Sequence, residues 1–451
     1  MPSIDSSRSR APLCWALAAF GALTGCRGED VSQDCETRGQ EFFRRTEQEA
    51  TPLLSPVPAK GPFPVALQLT EEGVNRLLGG AVADQDVPFT GNLPLGPAQA
   101  SFEPTGEPVI EFADLPGCNS CILFRLAFGI DLASGNNPIS SGVGEVQLSI
   151  PMRLESDEAA GMSTLIADYS QAKVEDLFLF VYGIDSEEHT TLTGAMKILL
   201  TEQIQEDFGP VELLQIGSWT IGKDEVRLLA RELIVLPGDG KLVLGMQTNL
   251  PMPAGSGLDL GGRLPDGSPM AVSMDTELFL TMSHRMFDEG EIARRYDEDG
   301  NPNETGIYGV TLDKLEGNQL GNPQLDSTFQ VWRIAEGYCG FAEATMPLEV
   351  TINNTRTGID ITPGAATLIG GEGSGAAALE EKELVEENQD LIETFRADLA
   401  AAVGSTVNFD SIDLENSLII FGVQDVDVTP NAINNYLDFA VYADPDAGEG
   451  E

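Results

Sequence analysis

Glu232-Leu233-Ile234-Val235-Leu236-Pro237, followed by Leu242-Val243-Leu244-Gly245-Met246, has a counterpart near the end of the chain: Asp425-Val426-Asp427-Val428-Thr429-Pro430, followed by Leu437-Asp438-Phe439-Ala440-Val441. Each is an apolar run, a proline-marked turn and a second apolar run, which predicts strand, turn, strand. The two halves also open alike. Leu67-Gln68-Leu69-Thr70 leads into Glu71-Glu72-Gly73-Val74-Asn75-Arg76-Leu77-Leu78, and Leu278-Phe279-Leu280-Thr281 leads into a polar, helix-like stretch reaching Arg295. A long unit used twice predicts two similar modules around comparable cores.

With 451 residues the chain has room for two domains of ordinary size. Working outward from the repeat gives a first module over 61–250, a Gly- and Pro-rich linker over 251–270, a second module over 271–445 and an acidic tail over 446–451. Between the modules' strands fall two helical stretches. Thr190–Phe208 carries Leu192, Met196, Leu199 and Leu200 as a stripe, and Leu379–Val403 carries Leu384, Leu391, Phe395, Leu399 and Val403, with Gly404 as its stop. Strict alternation marks half-buried strands at Ile122–Ile130, Val146–Leu154, Val272–Met282 and Met346–Ile352, and Leu177–Tyr182 is a further apolar run. The fold class this predicts is α+β: in each module a curved antiparallel sheet or barrel wraps a long amphipathic helix.

Before the first module, residues 1–25 read as an export signal: Arg8 and Arg10 precede the apolar run Ala11–Leu23, too short to span a bilayer. Leu23-Thr24-Gly25-Cys26 resembles a bacterial lipobox, which implies acylation of Cys26 as a lipid anchor. Arg27 in place of Asp implies passage to the outer membrane, on its periplasmic or cell-surface face. Residues 26–60 read as a polar stalk with a helix around Glu41–Glu49.

The charge excludes whole classes of partner. With 25 Lys and Arg against 72 Asp and Glu, the net charge of −47 repels nucleic acid and anionic lipid surfaces alike. With only two histidines, His189 and His284, there is little material for a metal cluster or a histidine-based catalytic triad, and no nucleophile elbow or P-loop occurs. The expectation is a protein that is not an enzyme. Beyond Cys14 and Cys26, four cysteines remain for disulfides in an oxidising compartment: Cys35, Cys118, Cys121 and Cys339. Three pairings are open, the simplest being Cys118 with Cys121 and Cys35 with Cys339; Cys118-Asn119-Ser120-Cys121 could also be redox-active or half a zinc site. No cofactor is expected apart from calcium, whose oxygen preference Asp297, Asp299, Asn301 and Asn303 suit, although Pro302 stands where an EF-hand requires Gly.

Taken with the repeat, this plan resembles the tubular lipid-binding (TULIP) family in its two-barrel form, similar to bactericidal/permeability-increasing protein and related lipid-transfer proteins. Val65–Leu78 is similar to the family's opening strand and helix, and Val426–Tyr442 to its closing strand-turn-strand. The chain departs in being acidic where the antibacterial member is basic, which argues against lipopolysaccharide neutralisation. The resemblance implies a lipid or other apolar small molecule held between long helix and curved sheet. The residues in question are Val74, Leu77, Leu78, Leu192, Met196 and Leu199 in the first module and Leu391, Phe395 and Leu399 in the second. The competing expectation is a cell-surface structural or adhesion lipoprotein with solidly packed β-rich domains.

Overall fold

The computed structural model describes residues 27–84, 91–95, 98–118, 120–135, 137–207, 209–217, 219–221, 224–261, 268–318, 322–335, 338–375, 389–405, 411–414 and 417–443. The export signal, Cys26, residues 379–388 and the acidic tail lie outside these. The described residues are mostly β, in two curled half-barrel sheets joined by a third, central one.

The central sheet has seven strands in the order Leu228–Leu236, Lys241–Thr248, Val65–Thr70, Met270–Asp275, Ala432–Ala443, Ser417–Thr429, Ser411–Leu414. Both strand-turn-strand motifs, Glu232–Met246 and Asp425–Val441, are therefore in one sheet. Val65–Thr70 is the seam: it pairs with Lys241–Thr248 on one side and with Met270–Asp275 of the second half on the other. The sequence divides the modules at a linker, whereas the hydrogen-bond ladder runs straight across that division. Part of the linker is itself packed. Leu260 is buried with Ala66 and Val243, with Leu258 and Phe63 against them, and Leu258 N–H donates to Phe63 O at 3.0 Å. A Cβ on Gly245 would lie 2.5 Å from Leu260, so the glycine is what lets this segment close over the sheet.

Each half opens with a strand running directly into a helix. Helix α1 (Arg27–Glu49) precedes both; α2 (Glu71–Asp84) follows Val65–Thr70, and α4 (Thr276–Glu289) follows Met270–Asp275. Thr70 Oγ1 accepts the Gly73 N–H at 3.2 Å and caps α2. A Cβ on Gly73 would meet Pro269 O at 2.1 Å, so only glycine permits that approach. Asp275 caps α4 by accepting Glu277 N–H at 2.9 Å, and Gly290, in the left-handed region at φ 77°, ends it. The strand expected over Val272–Met282 thus stops at Asp275, and Leu278–Thr281 are helical. Positions 274, 278 and 282 satisfy both period two and an i+4 spacing, so alternation misplaced the boundary.

The first half-barrel sheet runs Gly91–Leu95, Ala98–Pro104, Cys121–Ser134, Asn137–Asp157, Met162–Asp168, Pro210–Ile216; Val109–Glu111 adds to Cys121–Ser134 and Lys173–Val181 to Asn137–Asp157. The second runs Arg295–Tyr296, Tyr308–Asn318, Gln324–Ala335, Tyr338–Ile352, Ile359–Pro363, with Thr367–Gly375 on the other half of Tyr338–Ile352. Alternation predicts their inner faces well: Ile122, Phe124, Leu126, Phe128 and Ile130 are buried, as are Met346, Leu348 and Val350.

The long helices are α3 (Ser186–Asp207) and α5 (Gln389–Ser405). Helix α3 starts four residues earlier than the stripe predicts because Asp185 is its N-cap: Oδ1 takes the N–H groups of Glu187 and Glu188, and Glu188 Oε2 accepts the Asp185 N–H in return. It contacts both Gly91–Leu95 and Lys173–Val181, two margins of the first sheet. Its side chains bond to the backbone at the second margin. His189 Nε2 accepts the Val181 N–H at 3.1 Å, Lys197 donates to Glu175 O at 2.6 Å and Gln205 to Ala172 O at 2.9 Å.

Residues read as a polar stalk form α1, which lies on the second half-barrel sheet. Phe42 is buried there against Trp332, Arg45 pairs with Asp313 at 3.1 Å, and Glu49 pairs with Arg294. A Cβ on Gly309 would come within 2.5 Å of the Phe42 ring, so that glycine is the seat into which the ring fits. The helix can be mostly polar because, among its described side chains, arginines share the docking with Phe42: Arg38 lies over the Phe341 ring and Arg45 over that of Trp332.

Candidate functional site: an apolar groove beside helix α3

A groove of roughly 750 Å³ runs along α3 where the helix faces Gly91–Leu95. Leu192, Ala195 and Leu199 line it from the helix, Pro94 lines it from the strand, and Asp185, Glu187, Glu188 and Thr191 stand along its first turn. The helix geometry explains the lining. Residues 188, 192, 195 and 199 recur at three- and four-residue steps and share one side, while Met196, Leu200 and Ile204 turn into the core. Leu192 and Leu199 sit at the boundary, half-buried, each packed on the core and open to the groove. The result is an apolar floor with a carboxylate rim at one end.

The sequence-predicted residues divide accordingly. Leu192 and Leu199 line the groove, and Met196 lies directly beneath it, fully buried. Val74 and Leu77 of α2 are buried in the core, and the side chain of Leu78 is outside the described residues. In the second half Leu391, Phe395 and Leu399 are buried; the Phe395 ring lies 5.1 Å from Phe329 and 6.1 Å from Phe287, so side chains occupy that space. Pro94 and the acidic rim carried no signal in the sequence, because nothing in a linear pattern tells which strand will face a helix edge.

Cys118 and Cys121 form a disulfide with Cα atoms 5.6 Å apart, just before the strand that starts at Cys121. The side chains of Cys35 and Cys339 fall outside the described residues, although α1, which carries Cys35, lies against the strand that carries Cys339. In the Asp297–Asn303 loop the chain's own N–H groups occupy the oxygens. Asp297 Oδ1 accepts from Asp299 N and Asn301 N, both at 3.0 Å, and Asn303 Oδ1 accepts from Thr305 N at 2.9 Å. Asp299 and Asn301 accompany them in this exposed turn, and no cluster of three or more His, Cys, Asp or Glu side chains poised for a metal occurs among the described residues. His189 caps the sheet margin as described, and His284 Nε2 is 2.7 Å from Leu312 O, so both have structural partners. Burial holds the His284 imidazole below its ordinary value.

No family model matches the chain, and no curated protein does. Among solved structures it is similar to lipopolysaccharide binding protein (12% identity, covering 84% of this chain and 99% of that one, TM-score 0.40). It is also similar to P47 from Clostridium botulinum A2 (10% identity, 84% and 98%, TM-score 0.41) and to P47 of Clostridium botulinum E1 (10% identity, 83% and 98%, TM-score 0.38). Likeness at these values carries no argument about what the chain binds.

Proposed function

We propose that this chain is a non-enzymatic lipid-binding protein, held at a membrane by acyl chains on Cys26, that takes an apolar ligand into the groove beside α3. A phospholipid is the first choice of ligand. The reading includes export to the outer membrane and a first sheet that wraps α3 as a half-barrel around the bound chain. One observation supports it above the others: Leu192 and Leu199 remain open to a groove of about 750 Å³ while their neighbours Met196 and Leu200 complete the core. That volume lies within the range of small-molecule sites, roughly 300–1,000 Å³, and an apolar floor with a few polar groups at one end suits an amphiphile lying along the helix. An anionic head would meet the Asp185, Glu187 and Glu188 rim, so zwitterionic or neutral heads fit better.

The second reading, a structural or adhesion lipoprotein with packed modules, has its support in the second half, where Phe395 is enclosed by Phe287 and Phe329. Native mass spectrometry and organic extraction of the purified chain decide between them. Co-purified lipid, or uptake of a fluorescent phosphatidylcholine, supports the groove; a ligand-free protein that takes up neither supports the packed alternative.

A further inference from the structure

Beyond a bulge at Glu175–Asp176 the strand Lys173–Val181 alternates: Leu177, Leu179 and Val181 enter the core, and Phe178, Phe180 and the following Tyr182 face out. The outward rings are 62%, 46% and 60% exposed, beside Val143 at 48%, which the register places directly opposite Phe180. Ring centroids of Phe180 and Tyr182 are 5.2 Å apart, edge to face. Isolated exposed apolar residues are ordinary, but a contiguous aromatic face is an interaction surface.

Three features fix what could cover it. First, α3 already engages the adjoining sheet margin at Val181 N–H, through His189, and at Glu175 O, through Lys197, so an added strand could not pair along the whole of it. The occupant must meet side chains. Second, the face adjoins the groove: the Phe180 ring is 6.2 Å from His189, which shares a helical turn with the groove-lining Glu188 and Thr191. Third, the nearby acids disfavour an anionic partner. Glu145 stands opposite Phe178, Asp176 lies two residues before it, and Asp185 follows Tyr182, while Lys197 is engaged on a backbone carbonyl.

We infer that the Phe178–Phe180–Tyr182 face docks onto an electrically neutral, zwitterionic lipid surface, presenting the mouth of the groove to it. Aromatic rings with a polar-tipped tyrosine suit the interfacial layer of such a surface. The face lies at the end of Asn137–Asp157 away from the central sheet, since the other end of that strand touches it through Ser156 and Ala230. The inference rests on the surface itself and does not require the groove to be filled.

The test uses the full chain with Cys26→Ala, so that no acyl anchor contributes, and flotation with vesicles of phosphatidylcholine alone or mixed with phosphatidylglycerol. The expected result is co-flotation with phosphatidylcholine, weakened by phosphatidylglycerol, and a fall of about tenfold or more when Phe178→Ser, Phe180→Ser and Tyr182→Ser are combined. Ile369→Ser, an exposed residue on the second sheet, should leave flotation unchanged and controls for a general loss of surface apolarity. Equal flotation of the triple variant, preference for anionic vesicles, or absence of flotation overturns the inference. So does a dimer of the parent chain that the triple variant dissolves, which would make the face a self-contact. Uptake of a fluorescent phosphatidylcholine from solution, measured on the same proteins, reports the groove separately.

Discussion

Phe42 lies with its ring 6.0 Å from that of Trp332, the planes 55° apart, and this contact fixes the N-terminal helix to the second sheet. Trp332 is itself held by Phe341 at 4.7 Å and by an Nε1–H bond to Thr311 Oγ1 at 3.1 Å, partners that do not involve the helix. Phe42→Ala should therefore cost about 3–5 kcal/mol of docking energy and free α1 while the sheets persist. Hydrogen exchange confined to the helix would show it; unchanged protection there would mean the polar contacts suffice.

The same helix should respond to pH. Burial, outweighing the hydrogen bond from Arg294, pushes the Glu49 carboxyl up from 4.5 to about 7. The folded protein then holds that proton more tightly than the unfolded chain does. Stability from this group is fully present below 4.5 and lost as pH rises through 7. The span is on the order of 3 kcal/mol at most. Denaturation of the parent and of Glu49→Gln in acidic and mildly alkaline buffer checks this: the variant should show the smaller difference, and an identical slope would place the effect elsewhere.

Filling the groove tests the ligand reading without disturbing the core. Ala195 is exposed on the groove side of α3, so Ala195→Trp should change stability by no more than about 0.5 kcal/mol. Uptake of a fluorescent phosphatidylcholine should fall by about tenfold or more if the indole occupies the ligand's place. Undiminished uptake would move the site away from α3.

Cys35 and Cys339 are expected to be joined. The helix carrying the first lies against the strand carrying the second, and Cys118 and Cys121 are bonded to each other. Peptide mapping without reductant should recover the cross-linked pair, and Cys35→Ser should weaken helix docking by about 2–4 kcal/mol. Two free thiols would end this expectation.

Asp275 has two duties, capping α4 through Glu277 N–H and receiving the N–H of Gly257 from the segment over the central sheet. Asp275→Ala removes both and should destabilise the protein by about 2 kcal/mol, with new protease cleavage near Leu258–Leu260 as its signature. Cleavage elsewhere, or none, would show that Leu260 packing alone secures the segment.

What the sequence disclosed follows the strength of its periodicities. The inner faces of Ile122–Ile130 and Met346–Val350 were legible because period two survives wherever one side of a strand is buried. The α4 boundary was not, since its spacing fits both periods and the deciding residue is the cap Asp275. The segment 251–270 looked like a linker from its Gly and Pro content, which reports turns and not whether Leu258 and Leu260 fold back. The helix expected around Glu41–Glu49 is the second half of α1, but its docking was concealed, because Phe42 is a lone buried ring among polar residues. Of the groove, the leucines on α3 could be anticipated and Pro94 could not, and the run Leu177–Tyr182 gave no sign that alternate rings face solvent.

Because Val65–Thr70 is flanked by one strand from each half, no swivel separates the lobes. Any displacement of one must be carried by a continuous ladder into the other, and the molecule should behave as a beam. A change of shape local to one half then falls to the helices along the margins, such as α3 beside its groove.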